Sequence, residues 1–111
     1  MEIVRSLAPG GVVILHAKGK LNMVHAQRLR DEFAALVAEG KNKIVVDLGQ
    51  VDFLDSSGLG ALIGGLKAAR QAGGDLRIAA ANEQVLLVLQ LTNLDRVLTP
   101  YPNSESAFET E

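Results

Sequence analysis

Residues 55–60 read Asp-Ser-Ser-Gly-Leu-Gly and stand between an apolar run and a helical stripe. The run, Lys43-Ile44-Val45-Val46-Asp47-Leu48, is continuous and β-branched, which is typical of a strand covered on both faces. The stripe has the i, i+3, i+4, i+7 spacing of an amphipathic helix and comprises Leu59, Leu62, Ile63, Leu66 and Ala69. Two hydroxyl groups are therefore predicted at the start of a helix, where backbone N–H groups lack partners and the helix dipole is positive.

A hydroxyl group at that position can cap the helix or carry a phosphate. Ser and Asp are favoured caps, because a short side-chain oxygen accepts a hydrogen bond from an N–H of the first turn. The phosphate-binding patterns G-x-x-x-x-G-K-S/T and G-x-G-x-x-G are absent from the sequence. The nucleophile elbow G-x-S-x-G is absent too, since no Gly lies two residues before Ser56 or Ser57.

Length and composition predict a single domain over residues 1–111. The net charge is −2 and the basic residues are scattered, which argues against a nucleic-acid partner. The absence of cysteine excludes disulfides and thiolate chemistry. Arg5 and Pro9-Gly10-Gly11 interrupt the first apolar segment, and no run of about 18 apolar residues exists, so we expect a cytoplasmic protein without a signal peptide or a membrane span.

The N-terminal half predicts a hairpin and a helix. Strands are expected over 3–7 and 12–17, joined by a turn at residues 8–11. Asn22 is placed to cap the first helix and Gly40 to end it. The apolar face of this helix comprises Ala26, Leu29, Phe33 and Leu36.

The C-terminal half continues the alternation of strands and helices. A strand is predicted over 76–79, then a helix over 85–91 that Asn82 caps, then a short edge strand at Val97-Leu98. The segment from Ser104 to Phe108 is compatible with one more helical turn. This order indicates an α/β fold with a mixed, mostly parallel sheet of four to five strands and three to four α-helices. In such sheets the loop holding the serines lies at the carboxyl edge, where binding sites gather.

Four glycines dilute the second helix: Gly58, Gly60, Gly64 and Gly65. Each interior glycine costs roughly 0.5–1 kcal/mol relative to alanine, so the missing side chains must serve a purpose. Close packing of the helix on the sheet is one explanation, and a bare surface for another protein is the second. Gly64, Gly65 and the exposed part of this helix are also compatible with weak self-association.

Metal and acid–base sites are poorly supported. His16 and His25 lie apart without cysteines or clustered carboxylates beside them, so no metal site is predicted. Asp47, Asp52 and Asp55 would be the candidates for acid–base or Mg²⁺ chemistry, but strand-end and capping roles explain them more simply. We expect no catalytic residues.

The hexapeptide in this context resembles the STAS domain of bacterial anti-sigma factor antagonists. The resemblance is carried by residues 44–48, 51–54 and 55–60, and by Leu91-Thr92-Asn93-Leu94. It extends from about Val12 to Leu98, nearly the whole chain.

The resemblance implies a non-enzymatic regulator in a cycle of partner switching. The unphosphorylated antagonist binds an anti-sigma factor that is also a serine kinase, sigma factor is released, and phosphorylation of the antagonist separates the complex until a serine phosphatase resets it. Carried over to this chain, the phosphoacceptor is Ser57 with Ser56 as the alternative, and no cofactor is needed because the kinase uses the ATP. The implied partner-binding residues are Asn22, Asp55, Ser56, Ser57, Gly58, Leu59 and Gly60.

The chain departs from the family at the loop before the first helix. Family members commonly have Gly-Glu/Arg-Leu-Asp there, whereas this chain has Gly19-Lys20-Leu21-Asn22. The departure leaves an alternative open, a STAS module with a structural role in a transporter ATPase complex or a signalling scaffold. A third hypothesis, an enzyme using the aspartates and a serine, lacks a base, a metal constellation and an oxyanion motif.

Overall fold

Strands and helices alternate along the chain in this computed structural model, which describes residues 1–104, 107 and 108. The elements are β1 (Glu2–Ala8), β2 (Val12–Leu21), α1 (Ala26–Ala38), β3 (Lys43–Leu54), α2 (Ser56–Gln71), β4 (Asp75–Ala79), α3 (Glu83–Leu91) and β5 (Pro100–Tyr101). A single 3-10 turn, Leu94–Arg96, precedes β5. Of the helical turn predicted between Ser104 and Phe108, residues 105 and 106 lie outside the described part.

The five strands form one sheet in the order β1-β2-β3-β4-β5, with β1 antiparallel to β2 and the other neighbours parallel. The predicted α/β fold and its mixed sheet are confirmed. Each helix links two adjacent parallel strands, and right-handed crossovers place all three on one face of the sheet. The opposite face carries a smaller apolar cluster in which Ala107 and Phe108 pack near Val12, Ile14 and Val45.

The β2–β3 pair reaches beyond the rest of the sheet. β4 pairs with β3 only over Lys43–Asp47, while β2 and β3 stay paired to Leu21 and Leu54. We predicted that these strands end at Ala17 and Leu48, and both ends are wrong. Gly49-Gln50 resembles a break, but two register shifts absorb the extra residues as bulges and the pairing continues. This extension carries the loop that leads into α2.

The helix ends follow the predicted chemistry in most places. Gly40 has a φ of +79°, and the Lys41 N–H donates to the Leu36 carbonyl at 2.9 Å, which is a Schellman ending. Asn82 caps α3 by accepting from the Val85 N–H at 3.0 Å. The predicted buried face of α1 is confirmed at all four positions.

Asn22 caps a turn that lies just before α1. The helix begins at Ala26 with His25 at the cap position, so the predicted start is wrong by a few residues. Asn22 Oδ1 accepts from the N–H groups of Val24 and His25, at 3.1 and 3.3 Å. Asn22 is therefore a cap as predicted, but it caps the turn that leads into α1.

The predicted edge strand at Val97-Leu98 is wrong. The N–H groups of both residues donate to the Leu94 carbonyl, which closes a helical turn after α3. This turn places Leu98 in the core, 1% exposed, and the strand that joins β4 is Pro100–Tyr101 instead. Two aliphatic residues before a proline suit either arrangement, and burial of Leu98 decides between them.

Candidate functional site

The N-terminus of α2 is tied to the neighbouring loop by one carboxylate. Asp55 directly follows β3 and caps α2, with Oδ1 accepting from the Gly58 N–H at 2.9 Å. Its Oδ2 accepts from the Met23 N–H at 3.1 Å, and its own N–H donates to the Leu21 carbonyl at 3.3 Å. Asp55 therefore joins the end of β2, the β2–α1 loop and the first turn of α2.

Gly58 allows this close approach because it has no side chain. A methyl group built on Gly58 would overlap the Leu21 carbonyl oxygen and would lie 2.8 Å from Leu54 Cδ1. Those distances are shorter than van der Waals contact, so another residue here would push α2 away from the sheet. The position of the two serines depends on this packing.

Ser56 and Ser57 occupy the first two positions of α2 on the outside of this junction. Ser56 is exposed and Ser57 is half-buried, so neither hydroxyl group is sealed in the core. Asp55 satisfies the N–H of Gly58 through its side chain and that of Leu59 through its carbonyl, which leaves the N–H groups of the two serines without intrahelical partners. Within residues 1–104, 107 and 108, neither serine hydroxyl makes a hydrogen bond.

Three exposed apolar side chains flank the junction and were not predicted. Met23 and Val24 are each 75% exposed in the β2–α1 loop, and Phe53 is 41% exposed near the end of β3. Apolar side chains in a polar loop are a signal that sequence carries, since Met23-Val24 follows a capping residue directly. They add an apolar contribution to the surface around the serines.

The remaining glycines of α2 divide between its two faces. Gly65 lies against the ring of Phe33 on α1, so the close packing predicted for this helix involves a helix as well as the sheet. Gly60 is exposed, and Gly64 is exposed with open space around it. Beside Gly64, a shallow apolar groove of about 230 Å³ lies between α1 and α2. Gly65 is buried against Phe33 and forms part of the lining of this groove.

The other residues predicted to bind a partner take supporting positions. Leu59 is 5% exposed and points into the core, and Gly58 is buried beneath the serines. Asn22 is half-buried and engaged in its cap. The outer surface of the hexapeptide therefore consists of Ser56, Ser57 and Gly60, held by Asp55, Gly58 and Leu59.

Most of the aspartates and histidines considered as candidates for carboxylate or metal chemistry have other contacts. Asp47 Oδ1 accepts from the Gly49 N–H at 2.9 Å, and Asp55 is engaged as a cap. His16 Nε2 lies 2.8 Å from Ser6 Oγ on the sheet face opposite the helices. Within the described ranges, no group of three or more His, Asp or Glu side chains could hold a metal ion.

The comparisons with known proteins agree with the fold. A sequence model of the STAS domain matches residues 5–107. The chain belongs to the STAS domain family. A candidate anti-sigma factor antagonist of Thermotoga maritima is 37% identical over 102 residues, covering 88% of each chain. This STAS domain thus groups with the anti-sigma factor antagonists.

Solved structures support the same placement of this STAS domain. The crystal structure of a candidate anti-sigma factor antagonist of Thermotoga maritima matches with a TM-score of 0.88 at 33% identity, covering 97% of this chain and 92% of that one. The anti-sigma factor antagonist SpoIIAA in its unphosphorylated form shares the fold with a TM-score of 0.82 at 18% identity, covering 98% and 95%. SpoIIAA in its phosphorylated form matches with a TM-score of 0.74 at 16% identity, covering 99% and 100%. Among the described residues of the STAS domain, no helix is long and apolar enough to cross a membrane.

Proposed function

We propose that this STAS domain is a non-enzymatic anti-sigma factor antagonist whose binding is switched off by phosphorylation of Ser57. The observation that carries the proposal is the pair of unengaged serine hydroxyl groups at the positive end of α2, beside the exposed Met23 and Val24. In the unphosphorylated form this surface binds an anti-sigma factor that is also a serine kinase, in the cytoplasm, and sigma factor is released.

Phosphorylation at the start of α2 is compatible with the fold. A phosphoserine adds about −1.5 to −2 charges and three acceptor oxygens. The unpaired N–H groups of the first turn and the helix dipole favour an anion there. Ser57 lies outside the core, so a phosphate on its hydroxyl group would not need to be buried.

The same phosphate opposes binding. A partner fitted to a neutral hydroxyl group and to apolar side chains would have to desolvate the new charge, which also lies near the Asp55 carboxylate. A roughly hundredfold loss of affinity requires only about 2.7 kcal/mol, and one unpaired charge in an interface costs that much or more. The switch therefore needs no change of fold.

The remaining parts of the cycle belong to the partners. The kinase supplies ATP, a serine phosphatase removes the phosphate, and the STAS domain itself needs no cofactor. SpoIIAA, which shares this fold, has been solved in unphosphorylated and phosphorylated forms, so phosphorylation is compatible with the fold.

The acceptor serine is tested by labelling with the cognate kinase and ATP. We expect one phosphate on the unmodified protein, none on Ser57→Ala, and one on the matched control Ser56→Ala. Equal labelling of Ser57→Ala would move the site to Ser56. If neither serine were labelled, the switch would be refuted for this chain.

Partner identity is tested by affinity capture followed by mass spectrometry. The unphosphorylated protein should retain a serine kinase, and Ser57→Asp should lose it. Capture dominated by transporter ATPase subunits, unaffected by Ser57→Asp, would favour the structural alternative that the Lys20 and Asn22 departure suggests.

A further inference from the structure

A pocket rich in arginine lies at the end of α2 that is remote from the serines. It has a volume of about 170 Å³ between the last turn of α2, the start of β4 and the segment after the 3-10 turn. Its polar lining comprises Arg70, Asp75, Arg77, Arg96, Thr99 and Tyr101. Because α2 has 16 residues, this end lies about 24 Å along the helix from Ser56. The pocket is therefore separate from the phosphorylation site.

One carboxylate organises two of the three guanidinium groups. Asp75 Oδ1 lies 3.2 Å from Arg70 Nε, and Oδ2 lies 3.3 Å from Arg77 Nε. The Arg77 guanidinium is fixed further by the Phe108 ring, 4.2 Å from its carbon atom, and by the Ala107 carbonyl. Asp75 contacts both arginines at their Nε atoms. Each of the two guanidinium groups is therefore held at its Nε side.

The remaining donors of the pocket outnumber its acceptors. Within the described part of the chain, the two Nη groups of Arg70 and the whole guanidinium of Arg96 have no hydrogen-bond or ionic partner. Among the described residues that line the pocket, Asp75 is the one carboxylate, and it leaves the Nη groups of Arg70 and the guanidinium of Arg96 without an acceptor. Arginine forks with free donors are well suited to binding a multivalent oxyanion.

We propose that this pocket binds a phosphate-type dianion, either free or as the terminal group of a small phosphate monoester. Its volume of about 170 Å³ is below the range of sites that enclose drug-sized ligands, so only the anionic group would be held inside. The hydroxyl groups of Thr99 and Tyr101 supply neutral donors beside the arginines. Because Arg70 lies on α2, an anion bound in this pocket would contact the same helix that carries the serines.

The test is an NMR titration of the full chain with methyl phosphate at about pH 8, above the second pKa of a phosphate monoester at about 6. Inorganic phosphate forms a second arm, and sodium chloride at matched ionic strength corrects for screening. We expect saturable shifts of the Arg96 and Thr99 amide signals with both phosphates and none with chloride. Arg96→Gln should weaken the affinity about tenfold or more, while the control Arg30→Gln, an exposed arginine on α1, should leave it unchanged.

Three results would overturn the proposal. They are shifts that do not saturate, shifts that chloride reproduces, and equal losses in Arg96→Gln and Arg30→Gln. Arg96 is exposed and makes no contact that the fold needs, so circular dichroism of Arg96→Gln should match the unmodified protein. Ser57→Ala should bind methyl phosphate normally, which separates failure of this proposal from failure of the serine switch.

Discussion

The two faces of α2 use the same residue type in opposite ways. On the inner face, Gly58 and Gly65 bring the helix so close to Leu21 and to the Phe33 ring that a methyl group would not fit. On the outer face, Gly60 and Gly64 are exposed, and nothing lies within 4 Å of a methyl group built on Gly64. The first pair stabilises the fold through close packing, whereas the second pair leaves two positions on the exposed face of α2 without a side chain.

This difference shows why a glycine-rich helix can remain stable. Glycine costs conformational entropy wherever it stands, so the outer pair weakens α2 without compensation inside the chain. The inner pair regains that cost through contacts that only glycine permits. The outer pair is therefore the part of α2 that we expect a partner to use, and the two pairs should respond differently to substitution.

The largest effect is expected for Gly58→Ala. The methyl group would collide with the Leu21 carbonyl oxygen, which is backbone and cannot rotate away, so we expect a loss of about 3 kcal/mol in the free energy of unfolding. Urea unfolding measures it. A loss smaller than about 0.5 kcal/mol would show that α2 can shift without cost, and the contrast between the two faces would then fail.

Asp55→Ala should have the next largest effect, because this residue links the inner packing to the outer surface. Loss of the cap should cost about 1–2 kcal/mol, and the Met23 N–H should lose its protection from hydrogen exchange. Asp55→Asn keeps one acceptor oxygen, so it should retain the cap on the Gly58 N–H but lose the hydrogen bond from the Met23 N–H, which separates the two contributions. Unchanged exchange at Met23 in Asp55→Ala would mean that the β2–α1 loop is held by other contacts.

Gly64→Ala should stabilise the protein. The space around Gly64 is open, so the substitution removes backbone entropy from the unfolded chain and should add about 0.5–1 kcal/mol to the free energy of unfolding. The same urea titration compares it directly with Gly58→Ala. A destabilised Gly64→Ala would reveal that the outer face is not free.

The smallest effect is expected far from α2, at the surface contact between Arg5 and Glu39. Hydrogen bonds from the Arg5 guanidinium, and then from Lys41, hold the pKa of Glu39 below its ordinary value of 4.5. A carboxylate with a lowered pKa in the folded state stabilises the protein above its unfolded pKa, and this contribution is lost as the pH falls through the folded pKa.

Glu39→Gln should therefore lower stability slightly at pH 7 and not at a pH well below the folded pKa. Thermal unfolding at the two pH values measures the difference, and Glu2→Gln, an exposed carboxylate on β1, is the control. A change as large as that of Asp55→Ala would show that the contact between Arg5 and Glu39 stabilises the protein as much as the cap of α2 does.

Much of the fold could be predicted from local patterns. The helical stripe after Asp55, the cap at Asn82 and the glycine ending at Gly40 each depend on neighbours within a few residues. The errors fall where distant contacts compete with local ones. The strand was predicted to end at Leu48 because the pairing of the following residues with β2 is not visible in the local sequence. Val97-Leu98 was predicted as a strand because the burial of Leu98 is not visible locally either.

The sequence by itself determined the alternation of strands and helices, the capped start of α2 and the placement of two serines at it, because periodicity and capping are properties of short segments. Only the tertiary structure decided which glycines are packed and which are exposed, and that Met23 and Val24 flank the serines. These depend on how closely α2 approaches α1 and the end of β2. That approach is set by side chains far apart in the chain, and no local pattern encodes it.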